Sequence, residues 1–124
     1  MDDPQGMPDH GLAVHHLLSH PFSRICAHAG AGAHGHELCI DARRAIAEGR
    51  EIGAFALTEP QSGSDATAMR CRAVKQADGS YVINGQKSWI TSGPVARYIV
   101  LFAMTDPSQG ARGITAFMID TTRP

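Results

Sequence analysis

The sequence predicts a mainly β protein, a partial antiparallel β-barrel or sandwich preceded by a short helical, loop-rich N-terminal segment. Three observations carry this. From Ile52 onward, short apolar stretches follow one another, separated by turn residues and without a helical period. Asp78-Gly79 and Asn84-Gly85, both hairpin-favouring dipeptides, fall between such stretches. Ahead of Ile52 the chain is instead rich in Gly, Ala and His, with no alternation of apolar and polar residues. The boundary therefore falls between residues 1–51 and residues 52–124.

Taken in order, residues 1–9 are polar, carry two prolines and read as loose chain. Leu12, Val14, Leu17 and Leu18 line one side of a short helix ending before Pro21. Residues 26–39 read as loop. Cys39 to Glu51 reads as helix, with Ile40 and Ala42 to Ile46 as apolar positions and Gly49 as its stop. The first strand spans 52–58 and ends where Pro60, lacking an N–H, biases Glu59 away from helix. Gln61 to Asp65 is a turn. Strands follow at 69–76, 80–84, 86–91, 97–105 and 113–120, with a loop at 106–110. There is no internal repeat.

Composition narrows the function classes. At 124 residues and 43% hydrophobic, the chain has the make-up of one globular domain. A formal charge of -1 speaks against a nucleic-acid-binding surface. Cys26, Cys39 and Cys71 form no CxxC pair and are odd in number, which favours a reducing compartment over a disulfide framework. Met1-Asp-Asp-Pro has neither a basic region nor an apolar run, so no secretory or transit signal is expected. Tyr98 to Met104 is far too short to span a membrane. A soluble cytoplasmic protein is the expectation, with the mitochondrial matrix as the eukaryotic alternative.

Two motifs in the N-terminal segment have bland readings. Gly30-x-Gly32-x-x-Gly35 has dinucleotide-binding spacing, but no strand precedes it. Cys26, His28, His34, His36 and Cys39 are suitable zinc ligands by type, yet their spacing follows no zinc pattern. Solvated histidines in a loop account for them. His10, His15, His16 and His20 have no neighbouring acid or nucleophile, so no hydrolytic triad is assigned.

The most informative residues lie in two separated pieces. Phe55-Ala-Leu-Thr-Glu-Pro-Gln-Ser-Gly-Ser-Asp65 runs from an apolar strand into a hydroxyl-rich turn. Its successive N–H groups, with the Ser62 and Ser64 hydroxyls beside them, could form a concave anion site. Asn84-Gly85 then sends the chain back through Gln86-Lys87-Ser88-Trp89-Ile90 to Thr91. A planar ring bound beside a threonine hydroxyl would use both Trp89 and Thr91. Taken alone, the favoured reading is that Trp89 fills a barrel core and Thr91 caps a turn.

Leu57-Thr58-Glu59-Pro60, Gly63-Ser64-Asp65, Asn84-Gly85-Gln86-Lys87 and Trp89-Ile90-Thr91 occur in this order at compatible spacings. The combination resembles the acyl-CoA dehydrogenase family, specifically the first half of its middle β-domain. The resemblance runs from about Ile46 to Asp120. It implies flavin-dependent α,β-dehydrogenation of an acyl-CoA thioester, with FAD as hydride acceptor. By that resemblance the backbone of Phe55, Ala56, Leu57 and Thr58 runs along the ring's polar edge. Gly63 and Ser64 lie near flavin and substrate, with Ser64 a contact to both. Trp89 covers one ring face, Ile90 belongs to the same segment, and Thr91 directs its hydroxyl to the nitrogen that receives the hydride. The family's catalytic glutamate lies on a C-terminal helical domain, and none of Glu37, Glu48, Glu51 or Glu59 matches it, so no catalytic residue is assigned. By the same resemblance, residues 1–51 are the remnant of an α-domain and residues 52–124 an incomplete β-domain. Implied partners are an acyl-CoA and an electron-transfer flavoprotein, and the family's homo-oligomer finds no support here. The alternative is a non-catalytic flavin- or acyl-CoA-binding module, or an inert β-domain.

Overall fold

The computed structural model describes residues 33–122, with side chains from Glu37 onward. Helix α1 (Ala33–Ala47) opens the described chain, followed by strands β1 (Gly53–Ala56), β2 (Arg72–Lys75) and β3 (Tyr81–Asn84). Strands β4 (Tyr98–Met104) and β5 (Ile114–Asp120) complete one five-stranded sheet. The expected helix at Leu12 to Leu18, the loose residues 1–9, Cys26, His28, Gly30 and Gly32 lie outside the described residues.

The helix begins six residues earlier than the reading of 26–39 as loop allowed, at Ala33 instead of Cys39. Its buried positions Leu38, Ala42 and Ala45 follow helical spacing and pack on Tyr98 and Met118. Burial on the sheet thus fixes a segment whose own composition carries little helical signal. The stop at Gly49 is as expected. Its φ of 68° lies in the left-handed region, and Arg50 N donates to Ala45 O at 2.9 Å to close the end. Glu51 then accepts from Arg97 Nη1 at 2.6 Å, tying the helix exit to the approach to β4.

Strand β4 organises the sheet because its apolar run pairs along both edges. One edge is antiparallel to β5 over its whole length, Tyr98↔Asp120 to Met104↔Ile114. The remaining pairings of β4 are parallel: β1 from Gly53↔Tyr98 to Ala56↔Leu101, and β2 at Arg72↔Met104. β2 and β3 form an antiparallel hairpin whose turn is the predicted Asp78-Gly79, with Asp78 Oδ1 accepting from Ser80 N at 3.0 Å. The mainly β class therefore holds, as an open mixed sheet not closed into a barrel. Parallel pairing arises because a hairpin and a long connection separate β1 from β4, so the chain returns in the same direction.

The core lies on one face, where Ile99, Leu101 and Ala103 of β4 meet Ala56, Ala73, Ile83, Phe117 and Ile119. Phe117 is fully buried, with the Tyr81 ring 5.2 Å away. Phe117→Ala should lower the unfolding free energy by about 3–5 kcal/mol in urea titration, since lost transfer energy adds to a cavity. A loss below about 1 kcal/mol would place Phe117 outside the stabilising core.

Candidate functional site

Beyond Ala56 the chain leaves the sheet and makes a tight turn. Glu59 N donates to Ser62 O at 2.9 Å and Ser62 N to Glu59 O at 3.1 Å, with Pro60-Gln61 at the tip. The Ser62 hydroxyl is buried and donates to Asp65 O at 2.7 Å. Asp65 in turn caps the next short turn, accepting from Thr67 N at 3.0 Å, and its hydrogen bonds to Thr67 hold its carboxyl below the usual range. The expected anion cradle built on Ser62 is therefore corrected, because that hydroxyl is already committed inside the fold. Gly63 and Ser64 do remain exposed on the bend.

The second piece departs further from expectation. Asn84-Gly85 makes no hairpin, and no strand forms over 86–91. Gly85 is instead laid flat on Cys71: a Cβ there would sit 2.6 Å from Cys71 Cα. Trp89 then takes a left-handed φ of 60°, which breaks any extended run. Gly85→Ala should cost about 1–3 kcal/mol of stability by thermal or urea unfolding, because backbone must move to admit the methyl group. Unchanged stability would refute this close approach.

What joins the two pieces is a buried ion pair that sequence reasoning did not single out. Lys87 Nζ donates to Glu59 Oε1 at 2.8 Å and to Leu57 O at 3.0 Å. The side chains of Lys87 and Glu59 are 0% and 1% exposed. Glu59 also accepts from Arg70 N at 2.5 Å, Cys71 N at 3.0 Å and Gln61 Nε2 at 2.7 Å. Burial alone would raise the Glu59 pKa, but the Lys87 and backbone hydrogen bonds, with the ammonium charge, hold it below the ordinary carboxylate value. A third link runs from Ser88 N to Thr58 O at 2.9 Å. The available signal was a glutamate and a lysine placed among apolar and turn residues, in the quoted Leu-Thr-Glu-Pro and Asn-Gly-Gln-Lys motifs. Cys71, against this pair, has its thiol pushed up to about 11 by burial.

The candidate ring-facing residues divide by side chain. Ala56 and Ile90 are buried in the core, so only their backbone can face a ligand. Leu57 and Thr58 are half-buried. Trp89 is 81% exposed and Phe55 59% exposed, which removes the reading of Trp89 as core filler. Phe55, Ala54, Thr91, Ser92, Tyr98 and Val100 help line an open cleft of about 460 Å³. Ser92 also has a left-handed φ, 61°, so two strained residues bracket Ile90-Thr91. Among the described residues no group of three or more metal-ligating side chains occurs, and Cys39 and Cys71 are free thiols. No described helix is long and apolar enough to cross a membrane.

An exposed Phe55 ring and Thr91 at an open cleft, with Trp89 also left exposed, define the class: a mixed-sheet β-domain that buries Phe117 and Tyr98 but leaves two aromatic residues to solvent. The sequence matches the family model described as the acyl-CoA dehydrogenase middle domain over residues 54–124. The chain belongs to the acyl-CoA dehydrogenase family. It is 40% identical over 129 aligned residues to the mitochondrial isovaleryl-CoA dehydrogenase of Oryza sativa subsp. japonica, covering 92% of this chain and 31% of that protein. Among solved structures it is similar to butyryl-CoA dehydrogenase from Megasphaera elsdenii, with a TM-score of 0.62 and 46% identity, covering 64% of this chain and 21% of that one. An FAD complex of PigA gives a TM-score of 0.64 at 36% identity, covering 71% of this chain and 23% of that one. The chain thus spans about a third or less of the length of these relatives.

Proposed function

We propose that this chain supplies the flavin-lining half of the middle domain of an FAD-dependent acyl-CoA dehydrogenase. The observation that carries the reading is an exposed Phe55 at a cleft that Thr91 also lines, with Trp89, two residues before Thr91, exposed as well. A folded chain leaves large rings in water at a cost, and a flat apolar ring system offsets it. FAD fits these residues by chemistry: apolar faces for its rings and hydroxyls and backbone for its polar edge. When bound, it accepts the hydride lost from the acyl β-carbon.

In this reading the backbone of Phe55, Ala56, Leu57 and Thr58 borders the ring edge, and Trp89 shields one face. Ile90 contributes backbone, and Thr91 places its hydroxyl where negative charge develops. Gly63 and Ser64 lie toward the acyl-CoA, with Ser64 touching both ligands. In the same reading the boundary between the remnant of an α-domain and an incomplete β-domain falls at Glu51 and Ile52. The re-oxidising partner is an electron-transfer flavoprotein. A cytoplasmic location is one reading, and a mitochondrial one fits relatives such as the rice protein, whose name calls it mitochondrial.

Titration of the full chain with FAD, followed by quenching of flavin and tryptophan fluorescence, tests the reading. Saturable uptake with a shifted visible spectrum is expected. Absence of uptake at high micromolar FAD would overturn it in favour of an inert β-domain.

A further inference from the structure

We propose that Lys87 and Glu59 are positioning residues, a buried clamp that sets the spacing of segments 55–58 and 88–91 and so the seat of the ring between them. The inference rests on the flavin reading for what the seat holds, but the clamp itself stands on geometry.

Segments 55–58 and 88–91 are distant in sequence and meet through three hydrogen bonds: Lys87 Nζ to Leu57 O at 3.0 Å, Lys87 Nζ to Glu59 Oε1 at 2.8 Å, and Ser88 N to Thr58 O at 2.9 Å. With both ionic side chains shielded from water, no solvent molecule competes for them and their geometry is narrow. Glu59 is held by Arg70 N and Cys71 N just ahead of β2, so the clamp is referenced to the sheet and not to a loop. Its ammonium also polarises the Leu57–Thr58 peptide, whose oxygen it holds. The N–H of the same peptide, that of Thr58, becomes the stronger donor toward any acceptor that meets it.

Stability alone does not account for the pair. Buried ion pairs are commonly no better for folding than apolar residues of similar size, and in some proteins their role is to specify one arrangement. Here the arrangement specified is the separation of the two segments that carry Phe55 and Trp89, the most exposed rings of the described chain.

The test compares the wild-type full chain with the double variant Lys87→Met/Glu59→Gln. Glutamine's single oxygen can keep the bonds from Arg70 N and Gln61 Nε2, which share one Glu59 oxygen, while Cys71 N loses its acceptor. No lone charge is left, so the double variant should fold with a cooperative transition. In the flavin-free chain, Ser88 amide exchange should speed by about tenfold while the Leu101 and Phe117 amides keep their protection. The FAD dissociation constant should rise about tenfold, and the visible spectrum of the bound flavin should shift. Unchanged Ser88 exchange, or unchanged FAD affinity and spectrum where the wild type binds, overturns the proposal. Exchange speeding equally at Leu101 and Phe117 also overturns it, since the pair would then be a general fold element. If the wild type takes up no FAD while Ser88 exchange still responds, the flavin reading fails and the spacing role of the clamp is upheld.

Discussion

Lys87→Met alone should lower stability by about 3–5 kcal/mol, more than most substitutions in a chain of this size tolerate. The single change strands the Glu59 carboxylate, 1% exposed, without its cation. It also leaves Leu57 O without the ammonium donor. Urea unfolding near neutral pH measures the loss, and the double change with Glu59→Gln should recover part of it, the Cys71 N bond staying lost. A single variant as stable as wild type would show that the pair is not desolvated in solution.

The same pair predicts the acid limb of stability, and the sign follows from linkage. Glu59 has its pKa lowered in the folded chain, so its contribution is fully present above the unfolded value, near 4.5, and is lost as pH falls through the folded value. In Lys87→Met the hydrogen bond and charge that lower the pKa are gone and the opposing effect of burial remains. Acidification through the Glu59 range should therefore cost the variant less stability than the wild type, and the stability gap between the two should narrow as pH falls. A gap that does not change with pH would sink this account of the carboxylate.

The second large effect separates binding from folding. Trp89 is 81% exposed, so Trp89→Ala removes little that the fold relies on, and stability should stay within about 0.5 kcal/mol of wild type. FAD affinity should fall by about 2 kcal/mol, roughly thirtyfold, because a large ring that packs on a ligand behaves as a binding hot spot. Parallel thermal unfolding and fluorescence titration decide it. Loss of stability with intact FAD affinity would return Trp89 to a structural role.

Most strand locations were legible because their signals are local. Tyr98 to Met104 is a continuous apolar run and forms β4 with those bounds. Asp78-Gly79 turns β2 into β3 as its residue types require. Gly49 stops the helix as a left-handed residue. The failures share one cause. Asn84-Gly85 has the composition of a hairpin, but Gly85 serves a contact with Cys71, distant in sequence. The reading of 26–39 as loop lacked the sheet surface on which Leu38 packs.

The sequence by itself determined the β-rich class, the positions of most elements and the linked motifs that mark the family. Those rest on side-chain type and short-range backbone preference, which neighbouring residues carry within themselves. The tertiary structure alone decided the parallel pairings, the outward rings and the Lys87–Glu59 pair. These depend on which distant surfaces remain to exclude water once the chain is packed, and no local stretch encodes that.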